Sequence, residues 1–246
     1  MSLDELDDLL TGTAGVIAQR IDAAFDDVAT MRRRVSDIAE RAAEEHRPLD
    51  RAALAGVRPL ARELLERGPT LLEGLGVAVG EGCLSDTPQW SEWWRRDAAG
   101  QVHPVRHILD PDSVGFYDYQ SRQWFRLPST TARTCAVGPY VDAGGIGVCT
   151  VTLCVPVVFP SGAVSVVGGD LSIPGVETLL LRTLARRTPR IALLAANGRV
   201  VASNTARHVT GSRVRVDDRA VIERSHPLPS TEPERVPWRL VTLREA

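Results

Sequence analysis

The sequence predicts an α+β fold: one long N-terminal helix packed on an antiparallel β-sheet, followed by a small C-terminal β-hairpin extension. Three observations predict it. A single apolar stripe runs through the first 45 residues at steps of three and four. From Leu71 the pattern changes to short alternating segments, clearest between Gly147 and Phe159. Asn197-Gly198 then sits between two apolar runs, the strongest short hairpin signal a sequence offers.

The first helix, expected over residues 3–45, opens on a capping box in which Ser2 caps and Glu5 reaches back. Its stripe is Val16 or Ile17, Ile21, Ala24, Val28, Met31, Val35, Ile38 and Ala42. Such a stripe docks on a sheet or pairs with its own copy in a coiled-coil homodimer, and docking is the usual outcome in a globular chain. A second helix is expected from Asp50 as N-cap to Gly68, with Pro69 preventing continuation. In the strand from Gly147 to Phe159, the residues Cys149, Val151, Leu153, Val155, Val157 and Phe159 form an apolar face suited to a core. Val148, Thr150, Thr152 and Cys154 form a mixed face that could line a pocket. Pro160-Ser161-Gly162 turns this strand into a second one, Ala163 to Leu171, and a helix opens at Ser172 and Pro174. Segments 191–195 and 199–202 make the hairpin around Asn197-Gly198, and 238–243 alternates like a last strand. The implied division is a helical segment over 1–68, a ligand-binding domain over 69–188 and a β extension over 189–246.

Composition excludes several functions. All 29 positive charges are arginine, so amine chemistry of the Schiff-base or pyridoxal kind and the lysine-bearing phosphate loop drop out. With a formal net charge of −2 and interspersed charges, the chain has no electrostatic footprint for nucleic acid or an anionic membrane. The first eleven residues carry four acids and no base, the reverse of a secretory leader, and no apolar stretch spans a bilayer. A cytoplasmic protein is therefore expected, with Cys83, Cys135, Cys149 and Cys154 as reduced thiols. Neither a metal nor a cofactor is expected. Cys149 and Cys154 fall on opposite strand faces, His103 and His107 have no third ligand nearby, and the Gly74, Gly76, Gly80 spacing does not fit a dinucleotide loop.

Aromatic usage is uneven: of 12 rings, nine fall between Trp90 and Tyr140. That block contains Phe116-Tyr117-Asp118-Tyr119-Gln120-Ser121-Arg122-Gln123-Trp124-Phe125 and then Gly138-Pro139-Tyr140-Val141-Asp142. An arginine among rings is a carboxylate grip, because the guanidinium is a planar two-pronged donor and the rings exclude competing water. Asp170 ends an otherwise apolar strand, so its carboxylate needs a protein donor or a ligand ammonium. The plain alternative is a packed core in which Arg122 and Asp170 pair with each other.

The order of these pieces from about Trp93 to Ile173 resembles the Cache family of small-molecule sensor domains. It matches a tyrosine-aspartate, an arginine-x-tryptophan-aromatic, a proline-tyrosine, a threonine-bearing strand and a glycine-glycine-aspartate strand, in that order. The resemblance implies a PAS-like sheet with the long helix on one side and the ligand on the other. In amino-acid-binding members the matching arginine and tryptophan hold the ligand carboxylate, while the first tyrosine and the late aspartate hold its ammonium. It thus implies ligand-binding roles for Tyr117, Arg122, Trp124, Phe125, Tyr140 and Asp170. Phe125 stands where such members usually have tyrosine, and Leu127 where they often have a polar residue. Tyr119 and Asp142 are further candidates, with surface or turn roles as their alternative. Trp90, Trp93 and Trp94 cannot all point one way, so at least one is expected to cover the pocket mouth or the sheet edge, and Trp94 is the one carried as a ligand-binding candidate.

The resulting expectation is a non-catalytic sensor for an amino acid or related small carboxylate, signalling through an unknown partner. Residues 190–246 look like a reduced second module of the kind seen in double members of the family. The rivals are a dimeric helical scaffold with a vestigial pocket and an enzyme using Cys135 or Cys149 with a histidine.

Overall fold

The protein is described here by a computed structural model covering residues 2–68, 70–184, 189–214, 222–229, 232 and 234–244. Helix α1 (Leu3–Glu44) begins with the expected capping box: the Glu5 amide donates to Ser2 Oγ at 3.2 Å and the Ser2 amide to Glu5 Oε2 at 2.6 Å. Its stripe, including Ile17, Ile21, Val28, Met31 and Val35, is buried against the main sheet. The apolar stripe is therefore consumed inside the chain. Phe25, outside the expected stripe, is also buried, under the guanidinium of Arg235 at 4.2 Å.

The expected second helix is two pieces. Asp50 caps α2 (Arg51–Leu54), accepting from the Ala53 amide at 2.8 Å, and a 3-10 turn over Ala55–Val57 leads into α3 (Arg58–Glu66). Pro59 has no N–H to continue the ladder from α2 and suits the first turn of a new helix. Pro69, the expected stop, lies outside the described residues.

The main sheet contains β1 (Leu72–Ala78), β2 (Ser91–Arg96), β3 (Val102–Val105), β4 (Cys135–Val141), β5 (Cys149–Val158) and β6 (Val164–Leu171) in the order β3-β2-β1-β6-β5-β4, all antiparallel. As the alternation in β5 predicts, Val151, Leu153, Val155 and Val157 join the core under α1, while Thr152 and Cys154 are buried on the other face. Helix α4 (Gln123–Thr131) lies on that second face, and α5 (Ile173–Thr183), capped by Ser172, follows β6.

The C-terminal part goes further than a hairpin. Strands β7 (Arg190–Leu194) and β8 (Val200–Ser203) flank the Asn197-Gly198 turn, where Gly198 has φ +73°. They join β9 (Ile222–Pro227) and β10 (Arg239–Leu243) in a four-stranded sheet, β8-β7-β10-β9. Edge strand β9 alternates half-buried and exposed residues and carries little apolar side chain, so its sequence reads as a loop.

Candidate functional site

The site is built on cross-strand rows of the main sheet, on the face away from α1. Gly74 of β1 pairs with Arg95 of β2 and Asp170 of β6, and Asp170 pairs with Thr152 of β5. In the next row Gly76 lies between Trp93 and Gly168. The glycines leave a hollow. A Cβ on Gly168 would stand 2.6 Å from Trp93 Cη2, and one on Gly74 would stand 2.6 Å from Asp170 Oδ2. The indole of Trp93 crosses this hollow and donates to Asp170 Oδ2 at 2.9 Å. The glycines that fail as a nucleotide loop thus serve as room for a tryptophan.

Two hydrogen-bond chains converge here. Thr152 Oγ1 donates to Asp170 Oδ1 at 2.8 Å, and, with that proton committed, Tyr140 OH donates to Thr152 Oγ1 at 2.8 Å. Trp124 Nε1 donates to Tyr117 OH at 3.3 Å, and Tyr117 OH donates to Asp142 Oδ1 at 2.7 Å. The other oxygen of Asp142 accepts from the Ile146 amide at 3.0 Å, which ties the turn after β4 to the site. The chains meet where the Trp93 and Trp124 rings pack with centroids 5.5 Å apart.

Electrostatics follow from burial. Asp170 is buried, and loss of solvent pushes its carboxyl up to about 6 against the pull of the Thr152 and Trp93 hydrogen bonds. Burial, reinforced by the neighbouring Asp142 charge, also drives the Tyr117 phenol upward. His107 stacks on Tyr117 with centroids 4.7 Å apart, and burial moves its imidazole downward, so it is neutral at pH 7. Among the described residues neither Asp170 nor Asp142 has an ion-pair partner. Two carboxylates thus sit among the rings of Trp93, Trp124, Tyr117 and Tyr140, surroundings whose charge and ring faces favour a cation.

Arg122 stands at the mouth. It precedes the first residue of α4, donates to Ala143 O at 3.2 Å and lies over the Tyr117 ring at 5.6 Å. It does not pair with Asp170, so the packed-core alternative for these two residues does not describe their positions. A cavity of about 380 Å³ opens beside it, lined among others by Trp124, Tyr140 and Asp142. The structure therefore brings Tyr117, Arg122, Trp124, Tyr140, Asp142 and Asp170 into one connected set.

Three sequence candidates lie elsewhere. Tyr119 is a strut: its hydroxyl donates to Val79 O at 2.7 Å and accepts from the Trp90 amide at 3.1 Å, joining the end of β1 to the approach of β2. Phe125 packs edge-on against Tyr119, centroids 5.3 Å apart, behind the cavity. Trp94 lies toward the sheet edge, the second of the two places expected for one of the three tryptophans. As the strand neighbour of Trp93 it points to the opposite side, where its indole donates to Glu92 Oε1 at 2.9 Å and Arg62 lies 5.9 Å over its ring. It lines an edge cavity of about 520 Å³ together with Trp93, Arg106 and His107; neither tryptophan lines the cavity at Arg122. Trp93 holds the central place and was not singled out from sequence. The signal was the facing pair of small residues, Gly74 and Gly76, on the neighbouring strand.

The chain matches no protein family model and no curated protein. Its fold is that of extracellular ligand-binding domains of chemoreceptors and histidine kinases. A methyl-accepting chemotaxis protein X aligns over 98% of this chain and 99% of its own, at 15% identity and TM-score 0.66. The ligand-binding domain of the Pseudomonas fluorescens chemoreceptor CtaA, in complex with L-valine, aligns over 98% of this chain and 96% of its own, at 16% identity and TM-score 0.63. That of the Pseudomonas aeruginosa amino acid chemoreceptor PctC, in complex with GABA, covers 98% of both chains at 17% identity and TM-score 0.59. The likeness is one of fold, the PAS-like α+β arrangement that the aromatic motif implied.

Proposed function

We propose that the protein is a non-catalytic sensor that binds an amino acid or a related small carboxylate bearing an amine. The observation that carries this reading is the buried Asp170, held by Trp93 and Thr152 and without an ion pair among the described residues: the Arg95 guanidinium acts on it only at a distance and bonds to Ile146 O and Glu73 instead. A buried carboxylate without a counter-ion is costly, and a ligand ammonium offsets that cost. Arg122, one ring away over Tyr117, supplies the complementary grip for a carboxylate. Ligand-binding domains of the same fold hold L-valine, L-arginine, L-glutamine and GABA, which supports the class.

The thiols give little support to catalysis. Burial raises Cys149, and the Cys135 thiol, although lowered by a hydrogen bond to Cys154, has that second thiol as its neighbour rather than a histidine base. We read residues 69–188 as the ligand-binding unit and 189–246 as the reduced second module. No helix among the described residues is long and apolar enough to cross a membrane. A cytoplasmic location and a homodimer through the N-terminal helix belong to this reading; cell fractionation and sedimentation test them.

The test of the binding reading is a thermal-shift panel of L-amino acids, amines and small carboxylates, followed by titration calorimetry. A ligand at a hundred times its Kd raises Tm by about 5–10 °C for a chain of this size. No shift from any of them overturns the reading.

A further inference from the structure

The cavity at Arg122 has a second wall that the amino-acid grip does not use. Asn197, Arg199 and Arg213, all from the C-terminal sheet region, line it together with Arg122, Tyr140 and Asp142. Arg199 and Arg213 face each other across an isolated antiparallel bridge. The Val200 amide donates to Ser212 O at 2.8 Å and the Val214 amide to Gly198 O at 3.0 Å. These bonds straddle the pair, so the two arginines occupy a non-hydrogen-bonded position, where side chains approach most closely. Like charges directly opposite each other destabilise a strand pair. Among the described residues, none of Arg122, Arg199 and Arg213 has a carboxylate partner: Arg122 donates to Ala143 O and Arg199 to Gly211 O at 2.6 Å. The fold thus places on a cavity wall two paired arginines that have no carboxylate partner among the described residues.

We propose that Arg199 and Arg213 receive a second anionic group of the ligand, so that the protein selects an acidic amino acid over its neutral isostere. This rests on the amino-acid reading and extends it to substrate class. The charges balance for that class. With Arg95 cancelled by Glu73 at 3.5 Å, three guanidinium groups on the cavity against Asp142 and the Asp170 behind it leave one positive charge in excess, and an acidic amino acid carries one negative charge in excess at pH 7. Its α-carboxylate faces Arg122 and its side-chain carboxylate the arginine pair, while its ammonium faces Asp142 on the cavity wall, on the side where Tyr140 and Thr152 lead to Asp170. The ligand would then touch both sheets at once and draw the turn at Asn197 toward the mouth of the cavity.

The test compares L-glutamate and L-aspartate with L-glutamine and L-asparagine by calorimetry, on the wild type and on Arg199→Gln, Arg213→Gln and the double variant. Acidic ligands are expected to bind at least about tenfold more tightly than the amides, and the double variant to erase that preference while leaving amide affinity within about twofold. Arg213 is exposed, so Arg213→Gln keeps the experiment readable if Arg199→Gln alters the fold. Equal or tighter binding of the amides, or a preference unchanged in the double variant, overturns the proposal and leaves the amino-acid reading standing. Silence from all four ligands and from neutral amino acids overturns both. Inorganic phosphate protecting the protein as well as glutamate does also overturns it, since the wall would then be a general anion site.

Discussion

The indole of Trp93 and the carboxylate of Asp170, 77 positions apart in the chain, are joined by a 2.9 Å hydrogen bond across a strip of glycine on β1. Neither residue could reach the other over a side chain at Gly74, whose Cβ would stand 2.6 Å from the carboxylate and 3.1 Å from the indole nitrogen. The contact therefore depends on three strands at once.

Gly74→Ala should displace that pair. Overpacking of this kind costs about 1–3 kcal/mol, and the site should lose its ligand as well, because the carboxylate moves. Chemical denaturation and calorimetry on the variant check both; unchanged ligand affinity would show that the carboxylate is not the ammonium site.

Asp170 sets a pH dependence with a defined sign. Its folded value of about 6 lies above the ordinary carboxylate value, so the folded state favours the protonated form. In the unliganded protein this group's contribution to stability is full below about pH 4 and is lost as pH rises through about 6; the difference is of the order of 3 kcal/mol. Ligand ammonium requires the ionised form, so affinity should fall as pH drops below about 6. Asp170→Asn should abolish binding at pH 7 while leaving the unliganded Tm equal to or above that of the wild type. A loss of unliganded stability in that variant would contradict the assignment.

Trp93→Phe keeps most of the ring and removes the N–H. With one fewer donor on Asp170, the pH at which ligand affinity halves should move upward, and stability should fall by about 1–3 kcal/mol. Titration calorimetry between pH 5 and 8 reads the first effect, urea unfolding the second.

Arg122→Ala removes an exposed side chain whose hydrogen bond in the fold goes to one backbone carbonyl. Ligand affinity should drop by about tenfold or more, with the unliganded Tm within about 1–2 °C of wild type. Equal losses of fold and binding would point to a packing role instead.

Met31→Ala in the buried stripe of α1 should cost about 2–5 kcal/mol, and the effect should not vary with protein concentration. A Tm that rises with concentration would mark the stripe as a seam between copies.

The helix α1, its capping box, the two faces of β5 and the Asn197-Gly198 turn were legible because each is a local pattern: a period of 3.6, a period of 2, a reciprocal cap, a pair of residues suited to positive φ. The aromatic-arginine-aspartate set was legible as an ordered motif. What the linear pattern left open was decided by pairing between distant strands. Whether the α1 stripe docks or dimerises depends on the sheet being there to receive it. The choice of Trp93 over Trp94 depends on which side of β2 faces the glycines of β1 and β6, and strand alternation alone leaves that undetermined by one residue. The meeting of Arg199 with Arg213 depends on a bridge outside the regular strands, with no sequence period to announce it. Local periodicity follows from backbone geometry alone, whereas contacts across a sheet follow from register, which is set only when all the strands compete for one core.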